Sequence, residues 1–111
     1  MIWTDMIEKL SGVESETLLR IYWANGLVLD GFVMDISESC TCEIDDDSPE
    51  YHEYYMCVFQ IKTVKQVPAK ISKYVELKAG DLFEISEIFE PIKIEEVKGM
   101  VIWSSQHGEL A

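Results

Sequence analysis

Between Arg20 and Lys62 the chain has no lysine and no arginine, while Asp30, Asp35, Glu38, Glu43, Asp45, Asp46, Asp47, Glu50 and Glu53 place nine carboxylates there. Cations are scarce overall: 9 Lys+Arg stand against 21 Asp+Glu, a net charge of −12. Such a field repels phosphate backbones and anionic lipid, so no nucleic acid and no membrane surface is expected as a partner. Glycine and proline are also few, 6 and 3 in 111 residues, and 48% of the chain is hydrophobic, which excludes a disordered or fibrous chain and fits one compact domain. Long apolar runs are missing: Ile21–Ala24 and Met100–Trp103 fall far short of the ~20 residues of a membrane helix. Met1–Glu8 lacks a basic leader, so neither a secretory signal nor a transit peptide is expected. Cys40, Cys42 and Cys57 are an odd number, with the first two too close for a routine disulfide. Reduced thiols in a cytoplasmic protein follow.

What remains reads as a mainly β domain with a short N-terminal helix. Ile2, Trp3, Met6, Ile7 and Leu10 recur at helical spacing, Thr4 or Asp5 suits the N-cap, and Gly12 ends the helix, giving 1–11 as the helical segment. Leu18–Trp23 is rich in β-formers, and Asn25-Gly26 predicts a two-residue type I′ hairpin turn into a strand over Leu27–Ile36. In that strand Val28, Phe32, Met34 and Ile36 share a predicted face, and Gly31 marks a bulge or sharp bend. Tyr51–Lys62 is a long aromatic strand with Tyr51, Tyr55, Cys57, Phe59 and Ile61 on one side. Pro68 allows at most a short helix after Val64. Strands over Tyr74–Leu77 and Leu82–Ile85 flank a turn at Lys78–Asp81, and Ile92–Val97 and Met100–Trp103 flank one at Lys98-Gly99. Several short strands, one of them bent at a glycine, predict a small strongly bent β-barrel over 16–103, followed by a polar tail over 104–111.

The stretch Asn25-Gly26-Leu27-Val28-Leu29-Asp30-Gly31-Phe32 resembles the first motif of the Sm-like family, with a turn glycine and a second glycine five positions on. Val97-Lys98-Gly99-Met100-Val101-Ile102 is similar to its later hydrophobic-basic-glycine turn. The resemblance covers some 30 of the 111 residues and implies a small strongly bent β-barrel of Sm-like or SH3-like type and an oligomeric ring. The positions of the family's RNA-pocket Asp and Asn fall at Ser37 and near Thr41, and a lone Lys98 cannot reproduce a guanidinium fork. RNA binding through such a ring is therefore the second reading; it requires Lys62, Lys65, Lys70, Lys73, Lys78, Lys93 and Lys98 to gather on one face.

No convergent reactive set appears, so no catalytic residue is assigned and the chain is read as a non-enzyme. Cys40, Cys42, His52 and Cys57 are the one metal-like set, but His52 and Cys57 lie five apart and point to opposite faces of a strand, so no metal and no cofactor is assigned. Glu84, Glu87, Glu90, Glu95 and Glu96 offer no spacing that singles out an acid–base pair. Asp45-Asp46-Asp47 lacks the glycine and alternating acids of a calcium loop. The reading that unites these observations is a non-catalytic protein-binding module. Asp45, Asp46, Asp47, Glu50, Tyr51, Glu53 and Tyr54 form its predicted acidic, Tyr-rich face, and a basic protein is its partner. A toxin-neutralising immunity protein and an assembly adaptor both fit this description. Barrel edges further predict a homo-oligomer through strand pairing.

Overall fold

The computed structural model of the chain describes residues 1–41, 47–68 and 77–105. One short helix, α1 (Asp5–Ser11), precedes six strands: β1 (Leu19–Tyr22), β2 (Val28–Cys40), β3 (Glu53–Gln66), β4 (Leu82–Ser86), β5 (Lys93–Glu96) and β6 (Val101–Ser104). All pair antiparallel in a single sheet of order β4-β3-β2-β1-β5-β6. Among the described residues no ladder joins β4 to β6, so the sheet is open there and the expected barrel closure is not seen. The expected short helix from Pro68, most of the strand over Tyr74–Leu77, and the tail beyond Ser105 lie outside the described residues.

The helix starts at its Thr4 cap rather than at residue 1, so Ile2 and Trp3 of the expected stripe lie ahead of it and are exposed. The Thr4 hydroxyl accepts the Ile7 N–H at 3.2 Å, and Gly12 closes the last turn. Seven residues are too few to hold a helix alone, so its stability comes from docking. Met6, Ile7 and Leu10 are buried in the core, with the helix lying on β2, β3 and β6, at about 2 kcal/mol for each such side chain. The strand faces follow the two-residue period: Leu19 and Ile21 of β1, Cys57, Phe59 and Ile61 of β3, and Ile85 of β4 all enter one core. Trp23 joins it with its ring stacked on Phe89 and edge-on to Phe83, its indole N–H donated to the Phe89 carbonyl at 3.0 Å.

Two local expectations are corrected. The β1–β2 turn has three residues rather than two. The Gly26 N–H donates to the Trp23 carbonyl, the Trp23 N–H to the Leu27 carbonyl, and only Gly26 takes positive φ, at +98°. This is a type I turn followed by a glycine bulge; the Asn25 side chain caps the Leu27 N–H at 3.0 Å instead of sitting left-handed. The β5–β6 turn repeats the pattern at Glu96–Met100, with Gly99 at +110°.

The inward face of β2 also differs from the one expected. Leu29 is buried and Val33 and Ile36 pack on the core, while Met34 is 54% exposed. The register with β3 slips three times, at Val28/Leu29, Asp30/Gly31 and Val33/Asp35, and at the last of these Met34 is the unopposed residue on β2. Each bulge adds an unopposed residue and resets which side chains point inward. At the Asp30/Gly31 slip Gly31 is obligatory: a Cβ there would lie 2.1 Å from the Gln60 carbonyl oxygen and 2.8 Å from the Phe59 ring.

Candidate functional site

Strands β2 and β3, at 13 and 14 residues, far outrun their neighbours. β1 reaches only as far as Gly31 on β2, and from Met34 to Cys40 no residue of β2 is buried. This outer half of the ribbon carries Asp35, Glu38 and Glu53, and the connection beyond it carries Asp47 and Glu50, all exposed. The register places Glu38 opposite Tyr55 and Cys40 opposite Glu53, on the face shared with Cys57; Asp35 and Tyr54 point to the other face. Carboxylates therefore occupy both faces of the ribbon and its end. The end is ordered by short-range bonds. Thr41 donates its N–H to the His52 carbonyl at 2.8 Å, His52 returns its N–H to the Thr41 hydroxyl at 2.8 Å, and the Ser48 hydroxyl donates to Glu50.

Of the seven residues assigned to the face from sequence, Asp45 and Asp46 lie outside the described residues. Asp47, Glu50, Tyr51 and Glu53 lie toward the ribbon's end, and of these the Tyr51 hydroxyl donates to Glu53 at 3.4 Å. Tyr54 differs: it is only 5% exposed, and its hydroxyl is shared between the two oxygens of Glu84 at 3.1 and 3.2 Å. Burial, with that carboxylate beside it, raises the Tyr54 phenol above its ordinary value. It props the ribbon against β4 rather than standing out as a surface aromatic. Asp30 also leaves the patch, buried beside Arg20.

Two acids weighed from sequence only as an acid–base pair, Glu84 and Glu87, are brought by the fold beside the ribbon. Glu84 accepts from Tyr54 and from the Ser86 hydroxyl at 2.9 Å; Glu87 lies 3.3 Å from His52 Nε2, and the His52 ring stacks on Tyr54 at 5.9 Å. The sole sequence signal was the alternation of Glu84 and Ser86 with Phe83 and Ile85. It gives a face but not the thirty-residue jump to Tyr54.

The remaining candidates are engaged elsewhere. Cys57 is buried in the core, its thiol pushed up to about 12 chiefly by desolvation, with Asp35 adding to the shift. Cys40 is disulfide-bonded, which corrects the reduced state expected for it. Among the described residues no group of three or more His, Cys, Asp or Glu is placed to hold a metal ion. Glu95 accepts from the Tyr22 hydroxyl and pairs with Lys93 at 3.2 Å, contacts that hold its carboxyl below the usual range. Lys93 also lies 5.0 Å over the Tyr22 ring; Lys70 and Lys73, which an RNA-binding face would need, lie outside the described residues. No described helix is long and apolar enough to cross a membrane.

The family model for cognate immunity protein YxxD matches residues 1–107. No curated protein and no solved structure matches the chain.

Proposed function

This chain belongs to the cognate immunity protein YxxD family, and we propose that it is a non-catalytic immunity protein whose acidic β2–β3 ribbon engages a basic toxin. The observation that carries the reading is the placement of charge. Asp35, Glu38, Asp47, Glu50 and Glu53 are exposed on one ribbon and its end, in a stretch of sequence that itself contains no lysine or arginine. Glu84 and Glu87 extend the same field at its flank.

Physically, such a patch acts before contact. Its potential reaches about 10 Å at 0.1 M salt, raises the encounter rate with a cationic surface and orients it. A neutralising protein benefits from speed, since a toxin must be captured before it acts. Exposed carboxylates add modest affinity, because each ion pair at the rim gains little over its solvated state. Tightness must come from apolar contact.

Co-expression tests the reading. The cognate toxin, produced alone, arrests growth; produced with this chain, it is held in a complex that co-elutes from a sizing column at 50 mM salt. A chain that neither restores growth nor co-elutes with the toxin would overturn the assignment.

A further inference from the structure

Apolar contact has a candidate place beside the ribbon. β1 begins opposite Gly31, so from Phe32 onward β2 has no strand at that edge among the described residues. A groove runs along this edge, walled by the α1–β1 connection. Its wider part, about 530 Å³, is lined by Ser15, Glu16, Phe32, Val33, Met34 and Gln60. A further 270 Å³ or so shares Ser15, Val33 and Met34 and continues past Asp35 to Ile36.

Two features of the backbone converge on it. The bulge between Val33 and Asp35 leaves Met34 unopposed and 54% exposed, where a regular strand would have kept the ladder continuous. Bulges of this kind re-aim side chains, and an exposed methionine adapts to an incoming apolar group. On the opposite wall, Glu14–Thr17 forms a turn closed by the Thr17 N–H on the Glu14 carbonyl at 3.2 Å, with Glu16 at φ +70°. That is the third position of a type II turn, where glycine is favoured. A glutamate in this conformation costs about 1 kcal/mol relative to glycine, and such strain concentrates at functional walls. Glu16 is the single non-glycine residue at positive φ among the described residues.

We propose that this groove is the apolar anchoring site of the toxin interface: an extended segment of the basic partner lies along the β2 edge, seats one bulky apolar side chain against Phe32 and Met34, and sets an adjacent lysine or arginine on Glu16. The inference rests on the proposed function, and charge complementarity fixes the occupant. Glu16 and Asp35 rim the groove, which opens directly onto the acidic half of the ribbon. A wholly apolar occupant would leave both carboxylates facing it without a counter-charge.

Two short lysine-rich peptides, one with a central tryptophan and one with alanine in its place, test it by NMR titration of the protein labelled at its methionine methyls. The expected result is that both peptides shift ribbon resonances, that only the tryptophan peptide shifts the Met34 methyl, and that it binds about tenfold more tightly. Met34→Ser, at an exposed position that leaves the core intact, removes that advantage, and Glu16→Gly weakens the tryptophan peptide while raising thermal stability. Equal binding of the two peptides with an unmoved Met34 methyl overturns the groove and leaves the ribbon standing. If neither peptide binds, the electrostatic reading of the ribbon fails as well.

Discussion

Arg20 on β1 holds both carboxylate oxygens of Asp30 on β2, its Nε and Nη2 lying 2.7 and 2.9 Å away. The two residues are direct cross-strand partners, and the Asp30 side chain is only 7% exposed. Asp30 belongs to the base-free stretch, yet the register brings it a base from outside that stretch. This is why Asp30 sits inside the fold while Asp35, Glu38, Asp47, Glu50 and Glu53 of the same stretch stand in solvent. An isolated buried carboxylate is strongly destabilising, and a guanidinium fork matches both oxygens where an ammonium cannot. Arg20→Met should lower the melting temperature by about 5 °C or more, with Arg20→Lys recovering only part of the loss. Thermal unfolding followed by circular dichroism decides it; an unchanged transition in Arg20→Met would show that the pair contributes nothing.

Gly31→Ala should be among the most damaging single substitutions. The added methyl meets backbone at Gln60 and the ring of Phe59, neither of which can move without breaking the β2–β3 ladder. Overpacking of this kind costs about 3 kcal/mol or more. Urea denaturation measures it, and a loss below about 1 kcal/mol would mean that the strands part more easily than the register implies.

Glu16→Gly should act in the opposite direction. Relief of the left-handed glutamate is worth about 1 kcal/mol, or 4–8 °C in a domain of this size. Calorimetry that finds no gain would remove the strain at this turn.

Cys57 gives a pH signature. Its folded thiol titrates at about 12 against an ordinary 9.0, because burial disfavours the thiolate. A raised folded value means that the protonated thiol's contribution is fully present below pH 9 and is lost as pH rises toward 12. Stability should therefore fall over that window, and Cys57→Ala should flatten the slope there at some cost in packing. At pH 8 the native thiol should resist alkylation that proceeds readily in urea. Rapid native-state labelling would contradict the burial.

Much of the architecture was legible in the residues. α1, the long β3, the Lys78–Asp81 turn and the Lys98-Gly99 turn into the last strand follow from apolar period, caps and turn chemistry, which act over a few residues. The bulge at Gly31 was also visible, since a glycine inside a β-branched run has few other uses. The inward face of β2 was not, because the slip at Val33/Asp35 leaves Met34 unopposed and exposed, and register depends on a partner strand some thirty residues away. The candidate site divides along the same line. Asp47, Glu50, Tyr51 and Glu53 lie close in sequence, and the chain itself carries them to the ribbon's end. Tyr54 was misjudged because its burial depends on Glu84, and Glu87 on His52 was missed for the same reason. Local chemistry survives a reading of the chain; long-range pairing does not.

The most direct test of the acidic ribbon is stopped-flow association with the cognate toxin, comparing the parent chain with the triple variant Asp47→Asn, Glu50→Gln, Glu53→Gln. At low ionic strength the variant should associate about tenfold more slowly with nearly the same dissociation rate, and the two should converge as salt is raised. Equal association rates at low salt, with the fold of both proteins intact, would contradict it.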